Sequence, residues 1–256
     1  MSTLRISLLA IFAGAILGAV ALMYFVPTLR VAAYPERMGF RTIAPGVMVE
    51  AAFSEADAAQ LLRDIDTARA RIARFYGAFD ANVKLVACKT LACNQRLGGE
   101  GQGAGTAAAM TYGTPFVSVL RLAPRGLNPT IIAHEFSHAE FNQRAGYWAL
   151  FRRKVPAWFN EGLAVVASDD ARYMHDGVGH TRCLAPPTGL IEGLTAFRRA
   201  GGTDPTLYAR AACGVLIWME VHGGRDAVLA ALADLRGGAV GREVFDLPDM
   251  ARLAPR

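Results

Sequence analysis

Charge is sparse in this chain. Asp, Glu, Lys and Arg make up 19% of its 256 residues, and the formal net charge is +5, spread along the sequence. No basic stretch is interleaved with aromatic residues, so the stacking groove that holds single-stranded nucleic acid is not expected. The densest cluster, Arg152-Arg153-Lys154, reads as a solvated loop, with contact to anionic lipid headgroups as the alternative. Glycines recur from Gly98 to Gly105 but do not complete Gly-x-Gly-x-x-Gly, and they lead into a strand-like stretch, whereas phosphate cradling needs a helix N-terminus. A nucleotide is therefore not expected either, and the segment reads as a flexible loop. No internal repeat is evident.

Cysteine is limited to four residues. Cys88 and Cys93 lie five apart with no histidine nearby, which argues against a second metal site and for disulfides in an oxidising compartment. These two can bridge each other across a short turn, leaving Cys183 to pair with Cys213; free buried thiols are the alternative.

Histidine is limited to five residues, yet two of them stand in His134-Glu135-Phe136-Ser137-His138. On a helix this spacing sets two imidazoles one turn apart with a carboxylate beside them, the arrangement of a zinc site with a base attached. Helix signals surround it. Asn128 can serve as N-cap, Pro129 suits the first helical position, and Gly146 can close the C-terminal end. Ile132, Phe136 and Ala139 form an apolar stripe roughly opposite the histidines.

A third ligand is available at Glu161, 23 positions after His138, in Pro156-Ala157-Trp158-Phe159-Asn160-Glu161-Gly162-Leu163-Ala164. This reads as the first turns of a second buried helix. A carboxylate there is costly to bury without a cation, and glycine inside a helix costs about 1 kcal/mol relative to alanine. A cation facing Glu161 removes the first difficulty, and close approach of another helix at Gly162 explains the second. The expected ligand set is His134, His138 and Glu161 around one Zn2+, with the fourth position open to water. Two core histidines and a surface glutamate are the alternative.

At His134-Glu135-x-x-His138 and Trp158-x-x-Glu161-Gly162-x-Ala164 the chain resembles the gluzincin zinc metallopeptidases, and within them the peptidase MA-like domain family; looser similarity runs from about residue 40 to residue 250. The resemblance implies an α+β, zincin-like fold. Its small mixed sheet has an edge strand beside the zinc-binding active-site helix, and a helical C-terminal subdomain follows. It also implies a single catalytic zinc and hydrolysis of peptide bonds in a peptide or protein substrate. It moves Phe116 to Arg121, which precedes the metal helix and could otherwise be a paired core strand, to the sheet edge, where an extended peptide could add. Tyr208 matches the family's tyrosine that donates a hydrogen bond to the oxyanion; a buried packing aromatic is the alternative. No Gly-x-Met-x-Asn-type segment is found, which points away from aminopeptidase activity and towards an endopeptidase. The expected mechanism makes Glu135 the general base for a zinc-activated water. A catalytically silent membrane-anchored zinc domain, serving as a binding or scaffold module for envelope proteins, is the alternative function.

In chain order, Ile6 to Val26 is an uncharged apolar run of 21 residues. At 1.5 Å per residue it can just span a bilayer, so residues 1–26 are expected to form a transmembrane signal-anchor. Cleavage near Ala19-Val20-Ala21 is the competing reading. The protein is then expected in the cell membrane, single-pass, with its domain on the extracytoplasmic side, periplasmic or extracellular. Residues 27–45 read as a linker and 46–256 as the catalytic domain. Within it, Val47 to Val49 reads as a strand, Ser54 caps a helix to about Tyr76, and Val83 to Ala87 and Thr106 to Thr111 read as strands. Ser168 to Pro187 is a long loop holding Tyr173, His175 and His180, read as surface residues. Helices follow at about Leu190 to Ala200, Pro205 to His222 with Asp204 as cap, Arg225 to Arg236, and near Val244.

Overall fold

The structure is a computed structural model that describes residues 24–99, 108–113, 117–147, 149 and 155–246, together with positions 13, 14 and 18. Most of the 6–26 apolar run lies outside the described residues. Among the described residues no helix is long and apolar enough to cross a membrane. The fold is α+β. Five strands, β1 (Phe40–Ala44), β2 (Val47–Glu50), β3 (Val83–Ala87), β4 (Ala109–Gly113) and β5 (Ser118–Leu122), form one mixed sheet in the order β1-β2-β3-β5-β4. The central strands β2, β3 and β5 run parallel, and the outer β1 and β4 are antiparallel to their neighbours.

Alternation along the strands sorts side chains between two layers. Val47, Val49, Leu85, Ala87, Leu120 and Leu122 face the main core, while Met48, Val86 and Val119 face a smaller one. Every residue of β2 and β5 is buried, as expected where both faces of a sheet are covered. Helix α1 (Pro27–Ala33) and the short α3 (Leu91–Arg96) lie by the smaller core; the main core is built by α2 (Glu55–Tyr76), α4 (Pro129–Ala145), α5 (Ala157–Ser168), α7 (Leu207–His222) and α8 (Arg225–Gly237). Helices α6 (Leu194–Gly201) and α9 (Gly241–Val244) and three short 3-10 turns are also among the described elements.

Local signals account for most of these boundaries. Ser54 and Asp57 close a reciprocal capping box at the start of α2, and Asn128 Oδ1 accepts the Ile131 N–H at 3.0 Å at the start of α4. Gly146, at φ 86°, ends α4 in a region open to glycine.

Three expectations need correction. The stretch from Phe116 to Arg121, expected at the edge, supplies most of β5, which is hydrogen-bonded on one side to β3 and on the other to β4. The edge beside α4 is β4, whose residues are only half-buried. An all-buried strand such as β5 needs partners on both sides for its N–H and C=O groups, and β4 supplies the second set. Residues 27–45 are not a linker, because they contain α1 and β1, and Phe40 pairs with Glu50 across the β1–β2 ladder. Asp204 does not cap α7 directly; Thr206 is the N-cap, and Asp204 Oδ1 instead accepts the Thr206 N–H and hydroxyl.

Two polar contacts hold α4 in place from behind. Glu140 is fully buried and accepts the Asp80 and Ala81 N–H groups at 2.9 Å each and Arg144 Nε at 2.7 Å, tying the α2–β3 connection to the helix. Charge-assisted hydrogen bonds of this kind contribute about 1.5–3 kcal/mol apiece. The Tyr76 hydroxyl and Ser137 Oγ meet at 3.0 Å one turn earlier, and burial pushes the Tyr76 phenol well above its ordinary pKa.

Candidate metal centre

Helices α4 and α5 place the three expected ligands together. His134 and His138 project from successive turns of α4, with ring centroids 4.9 Å apart, and Glu161 comes from the second turn of α5. His134 Nε2 and His138 Nε2 are 3.2 Å apart, and Glu161 Oε2 lies 3.4 Å from the first and 3.5 Å from the second. These three atoms could hold one metal ion. Ligands at about 2.0–2.1 Å from a tetrahedral zinc stand about 3.3–3.4 Å from one another, and the observed triangle has nearly those edges. The other nitrogen of His138, Nδ1, lies 3.3 Å from Asn160 Oδ1, which orients the ring and leaves Nε2 aimed at the shared point.

Burial lowers the His138 pKa, but the Glu161 charge outweighs it and carries the imidazole up to about 9. Burial likewise raises Glu161, and the two histidines more than reverse that, holding the carboxyl well below the usual range. The Glu161 charge that favours a proton on His138 would equally favour a cation in the proton's place.

Gly162 does what its position in α5 suggests. A Cβ there would sit 2.5 Å from the carbonyl carbon of Ala211 and 3.0 Å from the Ala212 nitrogen, so α5 and α7 touch backbone to backbone. That contact brings Tyr208, on the first turn of α7, to a ring-centroid distance of 6.1 Å from His134. Burial first, then the Glu161 charge, pushes the Tyr208 phenol well above its ordinary pKa, so it stays protonated and able to donate.

Glu135 is 9% exposed, beside the ligands rather than among them. Its Oε2 accepts the Thr111 hydroxyl at 2.6 Å. Thr111 lies on edge strand β4 and was missed by sequence reasoning, because no local pattern within 109–113 singles it out. Tyr173, expected at the surface, instead stacks on Tyr208 at 5.2 Å and is braced by Arg172, whose guanidinium grips Asp170 with Nη2 2.5 Å from Oδ2. His175 and His180 do stay exposed, His180 pairing with Glu220 at 2.7 Å.

Both expected disulfides are present, Cys88–Cys93 and Cys183–Cys213. Glu50 lies near the first, but its carboxylate is engaged by the N–H groups of Lys89 and Thr90 and by the Thr90 hydroxyl, so that cluster is satisfied without a cation. The chain matches no protein-family model, no curated protein and no solved structure.

Proposed function

We propose that this protein is a zinc-dependent endopeptidase of the gluzincin kind, acting on peptide or protein substrates. The observation that carries this reading is the triangle of His134 Nε2, His138 Nε2 and Glu161 Oε2, with the carboxylate of Glu135 one residue from a ligand. Zinc held there by His134, His138 and Glu161 would supply Lewis acidity and would lower the pKa of water at the site towards ~7.

The remaining work falls to the chain. Glu135, desolvated and fixed on one side, is the base that takes a proton from the attacking water and later passes it to the leaving amine. Tyr208 is the donor to the oxyanion, since its hydroxyl makes no hydrogen bond among the described residues. Strand β4 has no partner on its outer side among the described residues, and it runs beside α4. An extended peptide adding there would pair its backbone with β4 and lie along the metal helix. The two disulfides fit an oxidising compartment, which supports an extracytoplasmic place for the domain.

The test is zinc content together with cleavage of an unfolded protein, with and without chelator. One zinc per chain and chelator-sensitive cleavage are expected. Glu135→Gln should keep the zinc and lose a factor of ~10² or more in turnover, whereas His134→Ala should lose the zinc. Parent turnover in Glu135→Gln would remove Glu135 from the mechanism.

A further inference from the structure

The two oxygens of the Glu135 carboxylate are not equivalent. Oε2 accepts the Thr111 hydroxyl at 2.6 Å. Oε1 makes no hydrogen bond among the described residues, so its lone pairs are not engaged by the chain there. A terminal carboxylate torsion is broad and roughly two-fold, so without an outside contact either oxygen could turn to the open side. Thr111 removes that freedom. Its own backbone is registered against Leu120 in the β4–β5 ladder, and its β-branched side chain is stiff at χ1. The hydroxyl is therefore placed by the strand and not by a rotamer search.

Resting on the peptidase reading, we propose that Thr111 is the positioning residue for Glu135, pinning Oε2 and leaving Oε1 as the atom that accepts the proton. Thr111 keeps its own proton throughout; the proton taken up by Oε1 from water is the one returned to the leaving amine. The strand that offers its open edge to a peptide thus also aligns the base, so β4 serves both substrate registration and proton transfer.

Thr111→Val preserves shape and removes the hydroxyl, and Thr111→Ser restores it. The expected result for Thr111→Val is a kcat lower by about tenfold, with KM and zinc content at parent values. Thr111→Ser should recover to within about threefold of the parent. Parent kcat in Thr111→Val, or a Thr111→Ser variant as impaired as Thr111→Val, would overturn the proposal. A second measurement does not depend on catalysis. In metal-free protein, the thermal midpoints of Thr111→Val, Glu135→Ala and the double variant should be non-additive if the two side chains interact, and additive shifts would also overturn the proposal. If the parent protein cleaves nothing, the peptidase reading fails by itself, and the midpoints still decide whether Thr111 holds Glu135.

Discussion

Replacing Gly162 by alanine tests the contact on which the geometry of the site depends. The new Cβ would lie 2.5 Å from the Ala211 carbonyl carbon and 3.0 Å from the Ala212 nitrogen, both backbone atoms of a buried helix. Ordinary contact begins at 3.4 Å, so α5 and α7 would have to part by about 1 Å, since no flexible side chain can give way. Overpacking of this kind costs about 1–3 kcal/mol, and the helix-propensity gain of alanine over glycine offsets about 1 kcal/mol of it. A net loss of up to about 2 kcal/mol corresponds to a fall of roughly 4–8 °C in Tm for a domain of this size. The displacement also reaches function, because Glu161 adjoins Gly162 and a shift of about 1 Å spoils a triangle whose edges are 3.2–3.5 Å. Calorimetry of metal-free protein and a zinc competition titration would measure the two effects. Tm should fall and zinc affinity should drop together. A variant as stable as the parent, with parent zinc affinity, would refute the argument, because it would mean that α5 and α7 do not meet at this point.

Tyr208→Phe keeps the stacking on Tyr173 and removes only the hydroxyl, so turnover should fall by ~10² at unchanged thermal stability, and unchanged kinetics would eliminate the donor role. Peptide mapping without reductant should recover Cys183 linked to Cys213; replacing both by alanine opens a closure of 30 residues and should cost about 3–4 kcal/mol in the chain-entropy model. The Lys89 ammonium and the Ser54 cap hold the Asp57 carboxyl down to about 2, from 3.8. Because that pKa is depressed by folding, the contribution is present above about pH 4 and is lost as pH falls towards 2. In metal-free protein the stability difference between the parent and Asp57→Asn should therefore shrink across that window, and a difference independent of pH would contradict the assignment.

The candidate ligands were legible in the chain because each depends on short-range geometry. A spacing of four on a helix puts His134 and His138 on one face, and the caps that define that helix, Asn128, Pro129 and Gly146, act within a turn of it. Glu161 and Gly162 were legible as a pair of local conflicts, a charge and a glycine inside an apolar helix, and such conflicts need a partner to resolve them. The Ser54 cap and the short apolar runs of β2 and β3 were equally local.

What the chain alone left open was decided by elements distant in sequence. The order of the sheet depends on which strand covers the far side of β5, so the sheet edge fell to 109–113 instead of 116–121. Neither Thr111 beneath Glu135 nor Tyr173 against Tyr208 follows from any local pattern, because each contact joins segments 24 and 35 positions apart. Glu140 was invisible for the same reason, since a buried carboxylate satisfied by backbone N–H groups from 60 positions away reads in the sequence as an ordinary helical surface residue. Short-range spacing determined which side chains could meet a metal; only the packed sheet and helix pairs determined which oxygen of Glu135 is left free beside it, because that depends on the relative placement of two elements whose only link is the tertiary fold.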